Sequence, residues 1–318
     1  MKKITAFLFC LILLLKMNLN AQTVQAYKKE AYEDASKRIT LVVIMADDPK
    51  KAAKPNKKNA GEDEMRKKDM EAFNSQLQAA FKKWWKFTER YEFKSLADVQ
   101  KIAKGKTNKG YLVLQYILHT DKDKAVKQTP GQPAPLMQFN KLSNPEFCGY
   151  FEIRQAENML PGKAPLSETP ISFQAPGLFD DVFAIHALQY DLYNHMEGLS
   201  PNEIKANLQA NAKNLLSKTL LIDKNDIAES LFNESKMKNL YPYEYLYVET
   251  DSCSEKLMEG NADYAIVKIV PTSDEKMLHY VISCEDGTIC GFYETKYEAK
   301  RRDRIKAEAL KVYSKYVK

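Results

Sequence analysis

The sequence reads as an α/β protein, with a mixed α+β arrangement as the variant, made of two tandem copies of one unit. Each copy runs helix, strand, helix, strand, helix, strand, strand, strand and is expected to form a mixed sheet with packed helices. Three observations predict this. A five-residue pattern recurs, Cys148-Gly149-Tyr150-Phe151-Glu152 and Cys290-Gly291-Phe292-Tyr293-Glu294, at a spacing of 142 residues. At that offset Phe147, Phe139 and Leu136 meet Ile289, Val281 and Leu278, and the turn-forming residues 143–146 fall on 285–288. Further back the offset changes while the order of apolar runs repeats. Similarity at a fixed spacing signals a duplicated unit, and turn residues between apolar runs encode a hairpin.

The earlier elements can be paired in order. Residues 39–46 (ITLVVIMA) and 219–223 (TLLID) are rich in β-branched or aliphatic residues, and strand-like runs follow around 91–94 and 243–249. Helix-like stretches 96–104 and 252–259 then close near Gly105 and Gly260, and 111–118 (YLVLQYIL) answers 264–270 (YAIVKIV). Strands separated by helices favour parallel pairing, whereas a final hairpin is antiparallel. Met70, Phe73, Leu77, Phe81 and Trp84, at steps of 3, 4, 4 and 3, form one apolar helix stripe. Ser200-Pro201-Asn202-Glu203 is a capping box with proline at the first helical position. Leu178, Val182, Ile185, Leu188, Leu192 and Met196 mark an amphipathic helix between the copies. The first copy carries insertions at 47–64 and 121–135, which belong in surface loops. The organisation expected is a signal peptide at 1–21, a first repeat at 22–174, a connecting helix at 175–199, and a second repeat at 200–318 with a basic C-terminal helix.

The start has the form of an export signal: Lys2 and Lys3, a 12-residue apolar run at 4–15, then a polar segment ending at Ala21. A membrane-spanning helix needs roughly 20 apolar residues, so the run suits a removable signal. No later segment resembles a membrane span. The expected protein is exported, periplasmic or extracellular, with no transmembrane segment in the mature chain. Losing Lys2, Lys3 and Lys16 lowers the formal charge from +6 to +3, too little to argue for nucleic acid.

Few residues invite a chemical reading. Export permits disulfides, and Cys284 and Cys290 flank a turn. They can bond only if they stand directly opposite; a two-residue Asp286-Gly287 loop would point them to opposite faces. No closely spaced cysteine pair supports zinc, and no metal or cofactor is expected. Gly105-Lys106-Thr107 lacks the upstream glycine of a phosphate loop, where Gln100 stands. Asp191 and His195, four apart, suit an ion pair on a helix, and no catalytic residue can be named. Trp84 continues the apolar stripe; Trp85, about 100° away, is the one aromatic candidate for ligand contact, although core packing is its commoner fate. Lys300, Arg301, Arg304 and Lys311 lie in the basic segment 296–318 and could meet an anionic envelope partner.

The functional expectation is an exported non-catalytic protein of the bacterial envelope or exterior that binds a macromolecule, an envelope protein or polymer. The alternative is a small-ligand binder with its site between the repeats. Third comes an enzyme whose residues meet only in the fold.

Overall fold

A computed structural model describes residues 27–46, 60–118, 149–159, 163–171, 177–272, 276–296 and 305–317. The first unit comprises α1 (Lys29–Ala35), β1 (Ile39–Ile44), α2 (Ala60–Trp84), β2 (Arg90–Ser95), α3 (Leu96–Lys104), β3 (Tyr111–Leu118), β4 (Gly149–Gln155), β5 (Ser167–Ile171) and α4 (Leu178–Glu197). The second repeats that order: α5 (Pro201–Ala212), β6 (Thr219–Asp223), α6 (Glu234–Leu240), β7 (Tyr245–Val248), α7 (Thr250–Glu259), β8 (Tyr264–Pro271), β9 (Lys276–Ser283), β10 (Ile289–Lys296) and α8 (Ala307–Val317). The helix expected to connect the copies thus stands where α8 stands in the second. It closes the first unit.

Both sheets have one topology. The strand orders are β2-β1-β3-β4-β5 and β7-β6-β8-β9-β10, with the first three strands of each order parallel and the last two antiparallel. β1 and β6 are interior strands, flanked by parallel neighbours on both sides, which suits ITLVVI, β-branched everywhere except Leu41, and the aliphatic TLLID. Register makes the correspondence explicit. Thr40 lies beside Tyr91 and Leu220 beside Tyr245; Ile39 lies beside Tyr111 and Thr219 beside Tyr264. Leu112 then opposes Gln155 as Ala265 opposes Ser283, so β4 corresponds to β9 and β5 to β10.

This corrects the pattern that first suggested the duplication. Gly149–Glu152 opens β4, whereas residues 290–294 lie in β10, a strand further along the meander. Neighbouring meander strands share an aromatic-rich composition, so the string matched without being equivalent. Gly149 also has a local cause: a Cβ there would lie 2.1 Å from the Ile117 carbonyl oxygen across the β3–β4 pair. Leu136, Phe139 and the turn at 143–146 lie outside the described residues, as do the signal segment 1–21 and the first insertion through residue 59.

Packing supplies the better evidence of repetition. Leu41, Val99, Val113 and Ala156 form a small cluster between α3 and sheet one. Their register counterparts Leu221, Cys253, Ile266 and Cys284 all join one larger core beneath α7. In unit one the other sheet face, with Val42, Leu112, Leu114, Phe151 and Ile153, packs on α2 and α4 within that same larger core. In unit two the equivalent face, with Leu220, Ile222, Ala265, Val267 and Val281, packs on α6 and α8 as a separate core. The two sheets therefore present opposite faces to α4, a head-to-tail arrangement.

Candidate functional site

The polar groups that could do chemistry concentrate around α4, because it is enclosed by both units. Thirteen of its 20 residues are buried, and it touches α1, α2 and β5 on one side and α7 on the other. A helix buried all round is normally apolar; this one carries Asp180, Asp181 and His186 inside.

Asp180 works twice. One oxygen accepts from the Gly177 backbone N–H at 3.1 Å, capping α4, and the other accepts from Lys268 Nζ of β8 at 2.7 Å. Both side chains are almost fully buried, and the ammonium lies 4.3 Å from the Phe179 ring centroid. Such a pair contributes little net stability but penalises loss of either partner. Asp181 is fully buried, and neither carboxyl oxygen has a hydrogen-bond partner among the described residues. Burial, reinforced by the charge of Asp180, raises its pKa well above the usual carboxylate range, which favours the neutral acid.

About one and a half turns further on, the His186 ring packs between Trp84, at 4.9 Å between centroids, and the β9–β10 turn. Gly287 in that turn has φ +74°, and a Cβ there would lie 2.0 Å from His186 Nδ1. Its Nε2 is buried without a bonding partner among the described residues, and burial holds the imidazole pKa down to about 4. Lys83 donates to the carbonyl oxygens of Met258 and Glu259, the latter at 3.1 Å, at the C-terminal end of α7.

A second polar group sits on the α3-side face of sheet one. Arg154 grips both oxygens of Glu152, with Nη2 2.7 Å from Oε2, and Gln115 Nε2 donates to the same carboxylate at 2.8 Å. Arg154 also donates to the Lys163 carbonyl. Glu168 is the cross-strand neighbour of Glu152; burial, then the charge of Glu152, pushes its pKa up to about 7. These groups brace β3, β4 and the chain entering β5. A third polar contact pins α8 to its sheet, where His279 Nδ1 meets the Tyr313 hydroxyl at 2.6 Å.

The residues singled out from sequence do not converge. Cys284 and Cys290 are free thiols in cores on opposite faces of sheet two. The turn keeps Ser283 N bonded to the Thr288 carbonyl at 2.9 Å, and the two cysteines are buried free thiols rather than the disulfide their spacing left open. Trp85 is core: 4% exposed, stacked on Phe81 at 4.9 Å, its Nε1 donating to Thr88 Oγ1 at 2.9 Å. The stripe Phe73, Leu77, Phe81 continues by four to Trp85, and Trp84 turns to the junction instead. Asp191 and His195 approach at 3.4 Å, both partly exposed, and His195 also stacks on Tyr32. Lys311 is exposed on α8; Lys300, Arg301 and Arg304 lie outside the described residues.

Two surface features went unnoticed in the sequence. A groove of about 220 Å³ lined by Ser230, Leu231, Lys236, Lys306 and Glu308 lies within unit two. On the sheet edges, Leu246 of β7 is 50% exposed where its counterpart on β2 is Glu92, itself paired with Lys94 at 2.9 Å. Comparing Tyr91-Glu92-Phe93 with Tyr245-Leu246-Tyr247 could have revealed that difference once the register was known. Among the described residues no group of three or more His, Cys, Asp or Glu could hold a metal ion, and no helix is long and apolar enough to cross a membrane. No family model matches this chain, nor does any curated protein or solved structure.

Proposed function

We propose that this is an exported, non-catalytic binding protein of the bacterial envelope or exterior that works through a macromolecular partner. One observation carries the reading: the open edge of sheet two exposes Leu246, where the matching edge of sheet one is guarded by Arg90, Glu92 and Lys94. Charged side chains on an edge strand discourage pairing with another chain. β7 lacks them within Tyr245–Val248, and the 45%-exposed Phe232 lies beside Tyr247 at 5.0 Å. Export rests on the Lys2, Lys3 and 4–15 segment and the polar stretch to Ala21.

The alternative of a small ligand held between the repeats has less support, because α4 fills the junction with packed side chains and the groove at Lys236 lies inside one unit. The test is a photo-crosslinking residue at position 246, or at 92 as the control edge, in full-length protein made in cells that carry it. A discrete adduct from 246 and none from 92 is expected. Absence of an adduct at 246 contradicts the reading. N-terminal sequencing of the recovered protein is expected to begin at Gln22, and an intact Met1 start would contradict export.

A further inference from the structure

The joint between the units is made at one corner by a histidine that accommodates charge poorly. His186 rises from α4 of the first unit onto Gly287 of the second, closely enough that no side chain fits at 287. Trp84 backs the ring, and Gly260, at the end of α7, packs on Trp84, so a Cβ there would lie 3.1 Å from the indole. We propose that this joint is operated by protons: in acid the β9–β10 turn leaves His186, and the face of sheet two that α4 covers is exposed while each unit stays folded.

The surroundings favour a neutral ring. From α2 come Trp84 and Lys83, whose ammonium is engaged by the α7 carbonyls. From the turn come Glu285, held by Lys218 at 3.0 Å, and Asp286, which accepts from Thr288 N at 3.0 Å. Glu259 of α7 is paired with Lys256 at 2.9 Å. On α4 itself Gln189 is occupied by the N–H groups of Lys86 and Phe87 and by the Trp84 carbonyl, and burial raises the pKa of the Tyr190 hydroxyl. Asp286 alone favours the charged ring, and burial outweighs it. The sign follows. A histidine whose folded pKa is lowered contributes full closing energy above the ordinary value of about 6.5. That contribution is lost as pH falls toward about 4.

Three buried cysteines report the opening. Cys253 and Cys284 lie in the core shared with α4, whereas Cys290 lies on the far face of the same sheet. Full-length protein is labelled with 4,4′-dithiodipyridine at a series of pH values, and each cysteine is quantified by peptide mass spectrometry alongside far-UV circular dichroism. Because the thiolate is the attacking species, chemistry alone slows labelling in acid. The expected result is the reverse for Cys253 and Cys284: accessibility, corrected for that trend, rises about tenfold per pH unit below 6.5. Cys290 stays protected and the dichroism is unchanged. His186→Gln, which cannot titrate in this range, is expected to abolish the rise, and Gly287→Ala to give fast labelling of Cys253 and Cys284 already at neutral pH. The proposal is overturned if wild-type labelling shows no acid rise, if His186→Gln keeps it, or if all three cysteines become reactive together as the dichroism is lost.

Discussion

Helices α4 and α8 hold the same place in the two units and meet different fates. Each follows the last strand of its meander and packs on the same face of its own sheet. α8 buries Ala309, Leu310, Tyr313 and Val317 against sheet two and leaves Glu308, Lys311 and Lys315 in solvent. α4 buries its corresponding face and then a second one, because unit two lies across its back. The outer face of α8 is polar, as the outer faces of capping repeats in stacked architectures are. The sheets diverge to match. In unit two, Lys268 holds α4 through Asp180 and Tyr280 holds it through Phe183, with ring centroids 5.1 Å apart, while Phe292 backs the Tyr280 ring at 5.2 Å. Their counterparts in unit one are Gln115, Glu152 and Glu168, a polar face. The two copies thus differ at a few strand positions, which make one surface that packs on the neighbouring unit and one that is polar.

The comparison can be broken most forcefully at the shared helix. Phe183→Ala is expected to cost about 3–5 kcal/mol and to lower the protection of both units in hydrogen exchange. Leu310→Ala on α8, at about 2–5 kcal/mol, is expected to loosen unit two alone. The next contrast lies between register partners. Lys268→Ala strands Asp180 in the junction and is expected to cost about 3–5 kcal/mol. Gln115→Ala, which leaves Glu152 still gripped by Arg154, is expected to cost about 1 kcal/mol; urea denaturation of both variants gives the difference.

Asp181→Asn tests the buried acid with the opposite sign. A carboxyl whose folded pKa is raised holds its proton where the unfolded chain releases it. Wild-type stability should therefore fall as pH climbs from the ordinary carboxylate value toward the folded one. The variant is expected to lack that slope, so that its stability relative to wild type grows as pH climbs above the ordinary carboxylate value of about 4; parallel pH–stability curves would count against it. The smallest contrast is at the matching helix starts. Ser95 caps α3 by accepting from Asp98 N at 3.2 Å, whereas Glu249 makes no side-chain cap on α7. Ser95→Ala is expected to cost about 1 kcal/mol, and Glu249→Ala only a few tenths of that amount, as read by thermal unfolding.

Much of the architecture was legible in sequence because it is local. The order of helices and strands follows from apolar periodicity. The Ser200 box was readable residue by residue, and it forms as written, with Ser200 N donating to Glu203 Oε2 at 2.7 Å. The correspondence of β1, β2 and β3 with β6, β7 and β8 was legible in the order of apolar runs, but that of the meander strands was not, since it depends on pairing across the sheet, and a recurring Cys-Gly-aromatic string resembles equivalence without it. The double burial of α4 was hidden for another reason. Leu178, Val182, Ile185, Leu188 and Leu192 show one apolar stripe, while Asp180 and His186 on the rest of the surface suggest solvent. Their buried partners, Lys268 and Gly287, lie roughly a hundred residues away. Leu246 was obscure for a similar reason, because an exposed leucine becomes informative only beside Glu92.

Amide hydrogen exchange across the two matched helices measures the difference between them most directly. If α4 is enclosed by both units and α8 caps only one, amides 183–192 should exchange only through opening of both units, and hence far more slowly than amides 310–317. Equal protection of the two helices, or faster exchange in α4, would mean that unit two does not lie across its back.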